Sequence, residues 1–282
     1  MLGVSYIVDP NKPLGEYRSM YLARAVDREI RSRRIGSGGA VTALLLYMLE
    51  NNVIDAVVVA KKRDGFTGEI VVARTRDELL EAAGDKWAVL PFTMKLKERL
   101  SDESIERVAI VGLPCQAQFL WQMRMYPMLE TDFSGKITFV VSLFCLGTFA
   151  TEAFLNYLKT YHGIDPESVE SINIVGDYIE AVYKGGSKTI PVRDIIPYMQ
   201  LGCLVCPDYT GVFSDLSAGI SESYPGYTVL VSRTSVSEKL VGEACSSGYI
   251  EARKAPLSVV EEVLIKARAK IMRATRYMSL VL

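Results

Sequence analysis

Short apolar runs of strand length alternate with longer runs of helical spacing through the first 160 residues. The β-branched block IDAVVVA (54–60) predicts a strand, as do GEIVVAR (68–74), ERVAIVG (106–112) and KITFVVSLF (136–144), with a shorter one at KWAVL (86–90). Between them, AVTALLLYMLE (40–50), RDELLEAAG (76–84), TMKLKERLSDES (93–104), AQFLWQMRMY (117–126) and TEAFLNYLKTY (151–161) predict helices. The arginine-rich stretch 16–34 has helical spacing and is expected to be a helix too. Strands alternating with helices in this way predict a parallel sheet covered by helices. The pattern changes over about 171–192 (SINIVGDYIEAVYKGGSKTIPV), where two or three alternating strands joined by glycine-containing turns predict a small antiparallel meander. SDLSAGIS (214–221) and YTVLVSR (227–233) are again strand-like, and SVSEKLVGEACSSG (235–248) and SVVEEVLIKARAKIMRAT (258–275) are helical. The expected fold is α/β: a mostly parallel sheet with flanking helices plus the meander.

Composition bounds what this fold can do. The 282 residues are 49% hydrophobic and 23% charged, enough apolar material for a core and too much for a disordered chain. A formal net charge of −1 argues against a nucleic-acid-binding surface. The longest apolar run, ITFVVSLFCLG (137–147), has the length of a buried strand and falls short of the roughly 18 residues of a membrane span. The N-terminus MLGVSYIVDP lacks a basic start followed by an apolar block, so the cytoplasm is the expected compartment. The single histidine, His162, disfavours a histidine-dependent triad or a multi-histidine metal centre.

Five cysteines carry the chemistry worth weighing. In a cytoplasmic chain of this size they are not expected to be disulfides, and their number is odd. Cys115 follows the strand ERVAIVG in a Gly-Leu-Pro-Cys turn, and Cys145 follows ITFVVSLF in a Cys-Leu-Gly turn. If those strands are parallel neighbours, both thiols emerge at the carboxyl edge of one sheet, where open α/β sheets bind ligands. Cys203 and Cys206 form a C-x-x-C in the loop GCLVCPDYTG. Four thiolates suit a structural zinc or an iron–sulfur cubane; the isolated Cys115 and Cys145 are poor zinc-ribbon spacing. The competing reading is three buried structural thiols and one redox pair. Cys245, alone in GEACSSG, reads as a packing residue.

The other candidate is GSGG at 36–39, which follows Arg31, Arg33 and Arg34 and opens the helix at 40. A helix N-terminus offers free N–H groups and a positive dipole end to phosphate, and small residues let it approach. Ser37 and Thr42 would add hydroxyl donors. The spacing matches neither the Rossmann fingerprint nor the P-loop, and an ordinary helix start with a solvated arginine face competes with the phosphate reading.

Taken in order, GSGGAVTALLLYMLENNVIDAVVVA, AAGDKWAV, VGLPCQAQ, LFCLGTF and GCLVCPDYTGVFSDLSAG resemble the coenzyme F420 hydrogenase/dehydrogenase beta-subunit family, the redox subunits of deazaflavin-reducing hydrogenase and formate dehydrogenase. The resemblance runs from about Arg18 to Arg233. It implies a [4Fe–4S] cluster held by Cys115, Cys145, Cys203 and Cys206, and an FAD whose phosphate region is lined by Arg34, Ser37, Gly38, Gly39 and Thr42. It places Lys86 in the cofactor site, in a step that is Ser-Lys-Tyr-like in the family and Asp85-Lys86-Trp87 here. It also places Pro114, Gln116, Asp215 and Ser217 near the flavin. Residues 1–95 would then carry the FAD phosphate loop and 96–282 the cluster, within one compact unit.

The activity implied is hydride transfer between coenzyme F420 and FAD, with single electrons passing between FAD and the cluster and no catalytic side chain required. With one cluster, the chain needs a partner: a hydrogenase, a formate dehydrogenase or similar redox subunit, or a ferredoxin, in a hetero-oligomer. Lys266, Arg268, Lys270, Arg273 and Arg276 on the last helix suggest a docking face for an acidic carrier, or simply a solvated face. Three other functions stay open: a flavin reductase with a different hydride partner, a cluster-bearing scaffold without catalysis, and a zinc-stabilised binding module.

Overall fold

The computed structural model describes residues 8–32, 37–63, 66–84, 90, 92–126, 129–176 and 178–281. In chain order the elements are β1 (Ser19–Ala25), α1 (Arg28–Ser32), α2 (Ala40–Glu50), β2 (Ala56–Lys62), β3 (Gly68–Ala73), α3 (Arg76–Glu81), α4 (Phe92–Arg99), β4 (Val108–Gly112), α5 (Pro114–Met125) and β5 (Ile137–Leu143). There follow α6 (Thr151–His162), β6 (Val169–Val175), β7 (Tyr178–Tyr183), β8 (Gly186–Pro191), α7 (Val192–Ile195), α8 (Leu201–Leu204), β9 (Leu216–Ile220), β10 (Thr228–Ser232), α9 (Ser235–Ser246), β11 (Ile250–Lys254) and α10 (Leu257–Val281).

Eight of the described strands form one sheet in the order β11-β1-β10-β9-β5-β4-β2-β3. Its centre is parallel, β2 with β4, β4 with β5 and β5 with β9. The flanks are antiparallel: β3 on β2, β10 on β9, β1 on β10 and β11 on β1. Two successive reversals bring β1 back into the direction of β9, so β1, β9, β5, β4 and β2 all end at the same edge. The meander is a separate antiparallel sheet, β6-β7-β8, packed with α6 around Phe154, Leu158, Ile172 and Ile190.

One face of the large sheet is covered by α2, α3 and α9. Helix α2 is buried almost all round, from Ala40 to Met48, because it lies between sheet and neighbouring helices; this explains a run too apolar to show a polar face. Burying each such Leu or Met side chain contributes about 1.5–3 kcal/mol. The opposite face has two cores. Phe92, Leu96, Ala117 and Leu120 of α4 and α5 cover β2, β4 and β5, while Val259, Val263 and Ala267 of α10 cover β1 and β10. Between them, at β5 and β9, runs a buried polar seam of Ser142, Asp208, Thr210, Ser214 and Ser217, joined by the half-buried Arg233.

The expected α/β fold and the meander are therefore present. The helix expected over 16–34 is not: Ser19–Ala25 is a strand, and among the described residues of that stretch only Arg28–Ser32 is helical. Paired on both sides and covered on both faces, β1 buries Met20 and Leu22 on one side and Ala23 and Ala25 on the other, which erases the alternation that marks a strand. The division expected at 95/96 falls inside α4, and strands from both sides of it share the large sheet. Nearly all of the short strand expected over 86–90 lies outside the described residues.

Candidate functional site: four cysteines and a glycine loop at one sheet edge

Three segments bring four thiols together at the carboxyl edge. Pro114 opens α5 directly after β4, placing Cys115 in the helix's first turn. Cys145 lies two residues past β5, its N–H donating to the Tyr209 carbonyl at 2.9 Å. Cys203 sits in the short helix α8, and Cys206 N–H donates back to the Cys203 carbonyl at 3.4 Å. Backbone pairing knits the segments: Gln200 N–H donates to Thr148 O, Ala150 N–H to Tyr198 O, and Phe149 bridges Met199. Both the N–H and the hydroxyl of Thr148 meet the Cys203 sulfur, at 3.4 and 3.3 Å.

The thiols are within range of one another's charge. Burial, with the Cys206 and Cys203 sulfurs adding to it, pushes the Cys115 thiol up. Burial likewise raises Cys145, to about 11, against the opposing pull of the Lys270 ammonium. Cys115 is the exposed member of the set, and the other three are half-buried. Among the described residues no three His, Cys, Asp or Glu side chains are arranged to hold a single metal ion. Cys245 lies apart, on α9, packed against the core that this helix shares with α2.

Helix α10 reaches this centre from the far side of the sheet. Lys270 Nζ donates to the carbonyls of Cys145 (2.6 Å) and Asp208 (2.7 Å). Arg273 donates to the carbonyls of Leu146 (2.6 Å) and Cys203 (3.0 Å), and its buried Nε has no partner. Sequence reasoning put both residues on an outward docking face, yet Lys270 is only 2% exposed. Lys266 is tied up as well, with Glu222 and Glu262.

The glycine loop stands at the same edge, on the α2 side. Gly38 O accepts from Ala25 N–H at 2.7 Å, fixing the loop to the end of β1. A Cβ on Gly38 would lie 2.8 Å from Gly226 O and 2.9 Å from Ala23 O, backbone atoms that cannot yield. Gly39, at φ +70°, forms the N-cap of α2 without any side-chain cap, and Thr42 is buried in the first turn. Along the edge from this loop to the cysteines, Ile220 at the end of β9 and Leu143 at the end of β5 expose apolar side chains, 42% and 39%.

Other predicted positions behave differently. Gln116 turns its side chain back to accept from Leu113 N–H at 2.7 Å, capping α5. Asp215 accepts from Val140 N–H in the middle of β5, with Arg124 at 3.7 Å, and burial raises its carboxyl. Ser217 is wholly buried and accepts from Arg233 Nε at 2.8 Å. Asp215 and Ser217 thus belong to the sheet interior, away from the edge where Leu143 and Ile220 are exposed. Arg34 and the Asp85-Lys86-Trp87 step lie outside the described residues.

Two family models together match most of the chain. The family described as "Coenzyme F420 hydrogenase/dehydrogenase, beta subunit N-term" matches residues 20–97, and its C-terminus counterpart matches 105–257. The coenzyme F420 hydrogenase subunit beta of Methanococcus voltae is 31% identical over 92% of this chain and 94% of its own length. An F420-dependent formate dehydrogenase 1 subunit beta of Methanococcus maripaludis is 25% identical over 90% of this chain and 66% of its own. A chain of the F420-reducing [NiFe] hydrogenase complex from Methanosarcina barkeri superposes with a TM-score of 0.85 at 29% identity, covering 96% of this chain and 93% of the other.

Proposed function

Because the chain belongs to the coenzyme F420 hydrogenase/dehydrogenase beta-subunit family, we propose that it is the F420-linked subunit of an oxidoreductase, carrying FAD and one [4Fe–4S] cluster and exchanging electrons with a partner redox subunit. The observation that carries the reading is the convergence of Cys115, Cys145, Cys203 and Cys206 from three segments onto the sheet edge that also bears the glycine loop.

The residues fit both groups. An all-thiolate donor set suits zinc or an iron–sulfur cluster. A structural zinc site usually takes its thiolates from paired C-x-x-C knuckles, whereas Cys115 and Cys145 come singly from the turns after β4 and β5. The unpartnered Arg273 Nε beside these cysteines is a donor in want of an acceptor, and the sulfides of a cluster are acceptors of that kind. The glycine N-cap of α2, which no side chain covers, and the apolar Leu143 and Ile220 suit a dinucleotide with a flat ring.

When bound, FAD exchanges a hydride with a deazaflavin and single electrons with an iron–sulfur cluster. The protein's part is to hold and to tune. The four cysteines would bind as thiolates; since burial holds Cys145 in the thiol form, loading releases protons. Thr148 would donate to the Cys203 sulfur. Ser37, Gly38, Gly39 and Thr42 would meet the pyrophosphate at the start of α2, with Arg34 to contribute charge, while Lys86, Pro114 and Gln116 would hold the flavin, as the resemblance implies. Asp215 and Ser217 would act from behind, by fixing β9 against β5 and Arg233. Cys115, the exposed ligand, marks where a partner approaches. Stopped-flow mixing with reduced F420 or with NADH tests the hydride partner. Rapid bleaching of the flavin band by reduced F420 alone is expected, and bleaching by NADH alone would assign the chain to another flavin reductase activity.

A further inference from the structure

Helix α10 keeps an apolar stripe inward at Val259, Val263 and Ala267, and the stripe is then broken by a lysine. Lys270 takes the next inward place, with its ammonium between the carbonyls of Cys145 and Asp208. One turn on, Arg273 holds the carbonyls of Leu146 and Cys203 and leans on the Met199 sulfur at 3.6 Å. Each cation therefore joins the segment after β5 to the segment bearing Cys203 and Cys206. Among the described residues neither has an ion-paired carboxylate. The carboxylate within charge range of Lys270, that of Asp208, is occupied by the N–H groups of Gly211 and Val212. Burying a cation on neutral carbonyls is costly unless a negative charge stands close by. For Arg273 the negative charge in range is that of Cys203, Cys206 and Cys145, and in the loaded centre the four thiolates add to the Asp208 carboxylate that faces Lys270.

We propose that Lys270 and Arg273 are the built-in counter-charge of the four-cysteine centre, clamping its loops and raising its reduction potential. This rests on the reading of those cysteines as cluster ligands. A cluster held by four thiolates is anionic and gains a further negative charge on reduction, so fixed cations in a low-dielectric surrounding favour the reduced form. Both side chains are positioning residues: they touch the ligands' backbone and act on the centre through charge.

The test separates charge from scaffold. Lys270→Gln and Arg273→Gln each keep an N–H donor for the carbonyls and remove the charge. Both variants, with wild type and the exposed control Arg268→Gln, are loaded anoxically, assayed for iron and sulfide, and titrated by EPR-monitored potentiometry. The expected result is a retained cluster reduced at a more negative potential in both variants, by tenfold or more in the redox equilibrium (about 59 mV for one electron), with the control unmoved. Wild-type potentials in both variants overturn the proposal. So does loss of the cluster from both, which would make the two side chains scaffold alone. A wild-type chain that takes up no iron and sulfide instead overturns the ligand assignment beneath it.

Discussion

Single side chains in this molecule are placed by what surrounds them more than by their type. Asp55 accepts from Arg107 at 2.6 Å and from the N–H groups of Glu106 and Arg107, and the guanidinium bond holds its carboxyl below the usual carboxylate range. A depressed folded pKa stabilises fully above the unfolded value of about 3.9 and is lost as pH falls through the folded value. In urea denaturation at pH 7 and pH 3, Asp55→Asn should therefore lose stability relative to wild type at pH 7, with the gap narrowing at pH 3. At Gly38 the constraint is space: Gly38→Ala should lift the loop from Gly226 and Ala23 and weaken FAD binding tenfold or more while iron content stays at the wild-type level. Flavin release measured by fluorescence beside an iron assay checks both halves. The cysteines were legible in the sequence because four rare residues stood in turns after strands or in one C-x-x-C. Lys270 and Arg273 were not, because basic residues on a helix suggest a wet face. The signal was the phase of Lys270 with Val259, Val263 and Ala267.

Elements followed from the sequence wherever one face or one capping device dominated. Helix α9 starts at a reciprocal cap in which Thr234 Oγ1 accepts from Ser237 N–H at 3.1 Å and Ser237 Oγ accepts from Thr234 N–H at 3.2 Å. Since α9 packs Leu240, Val241 and Ala244 into the core shared with α2, Thr234→Ala should cost about 1 kcal/mol by chemical denaturation. An unchanged midpoint would show that packing alone fixes the start of α9. Two strands escaped the sequence pattern for opposite reasons. β1 is buried on both faces, so its apolar positions do not alternate. β11 is an edge strand exposing Glu251, Arg253 and Lys254, the charged composition that protects sheet edges and reads as loop.

At the scale of the whole molecule, the mixed sheet does the organising. Two reversals at β10 and β1 return the glycine loop to the edge where β4 and β5 deliver Cys115 and Cys145, and α10 closes the opposite face with two cations under the same centre. No sequence pattern states that order of strands; it comes from long-range pairing, so the pattern alone left the meeting of Cys115 and Cys145 conditional on β4 and β5 being neighbours, which they are. Among the described residues no helix is long and apolar enough to cross a membrane. The central claim is that four sulfurs from three segments hold one iron–sulfur cube, and metal and sulfide content of anoxically prepared protein tests it most directly. About four irons and four acid-labile sulfides per chain are expected, falling sharply on Cys→Ser substitution at 115, 145, 203 or 206 and unchanged in Cys245→Ser. One zinc without sulfide, or iron that survives the loss of any of the four, would contradict it.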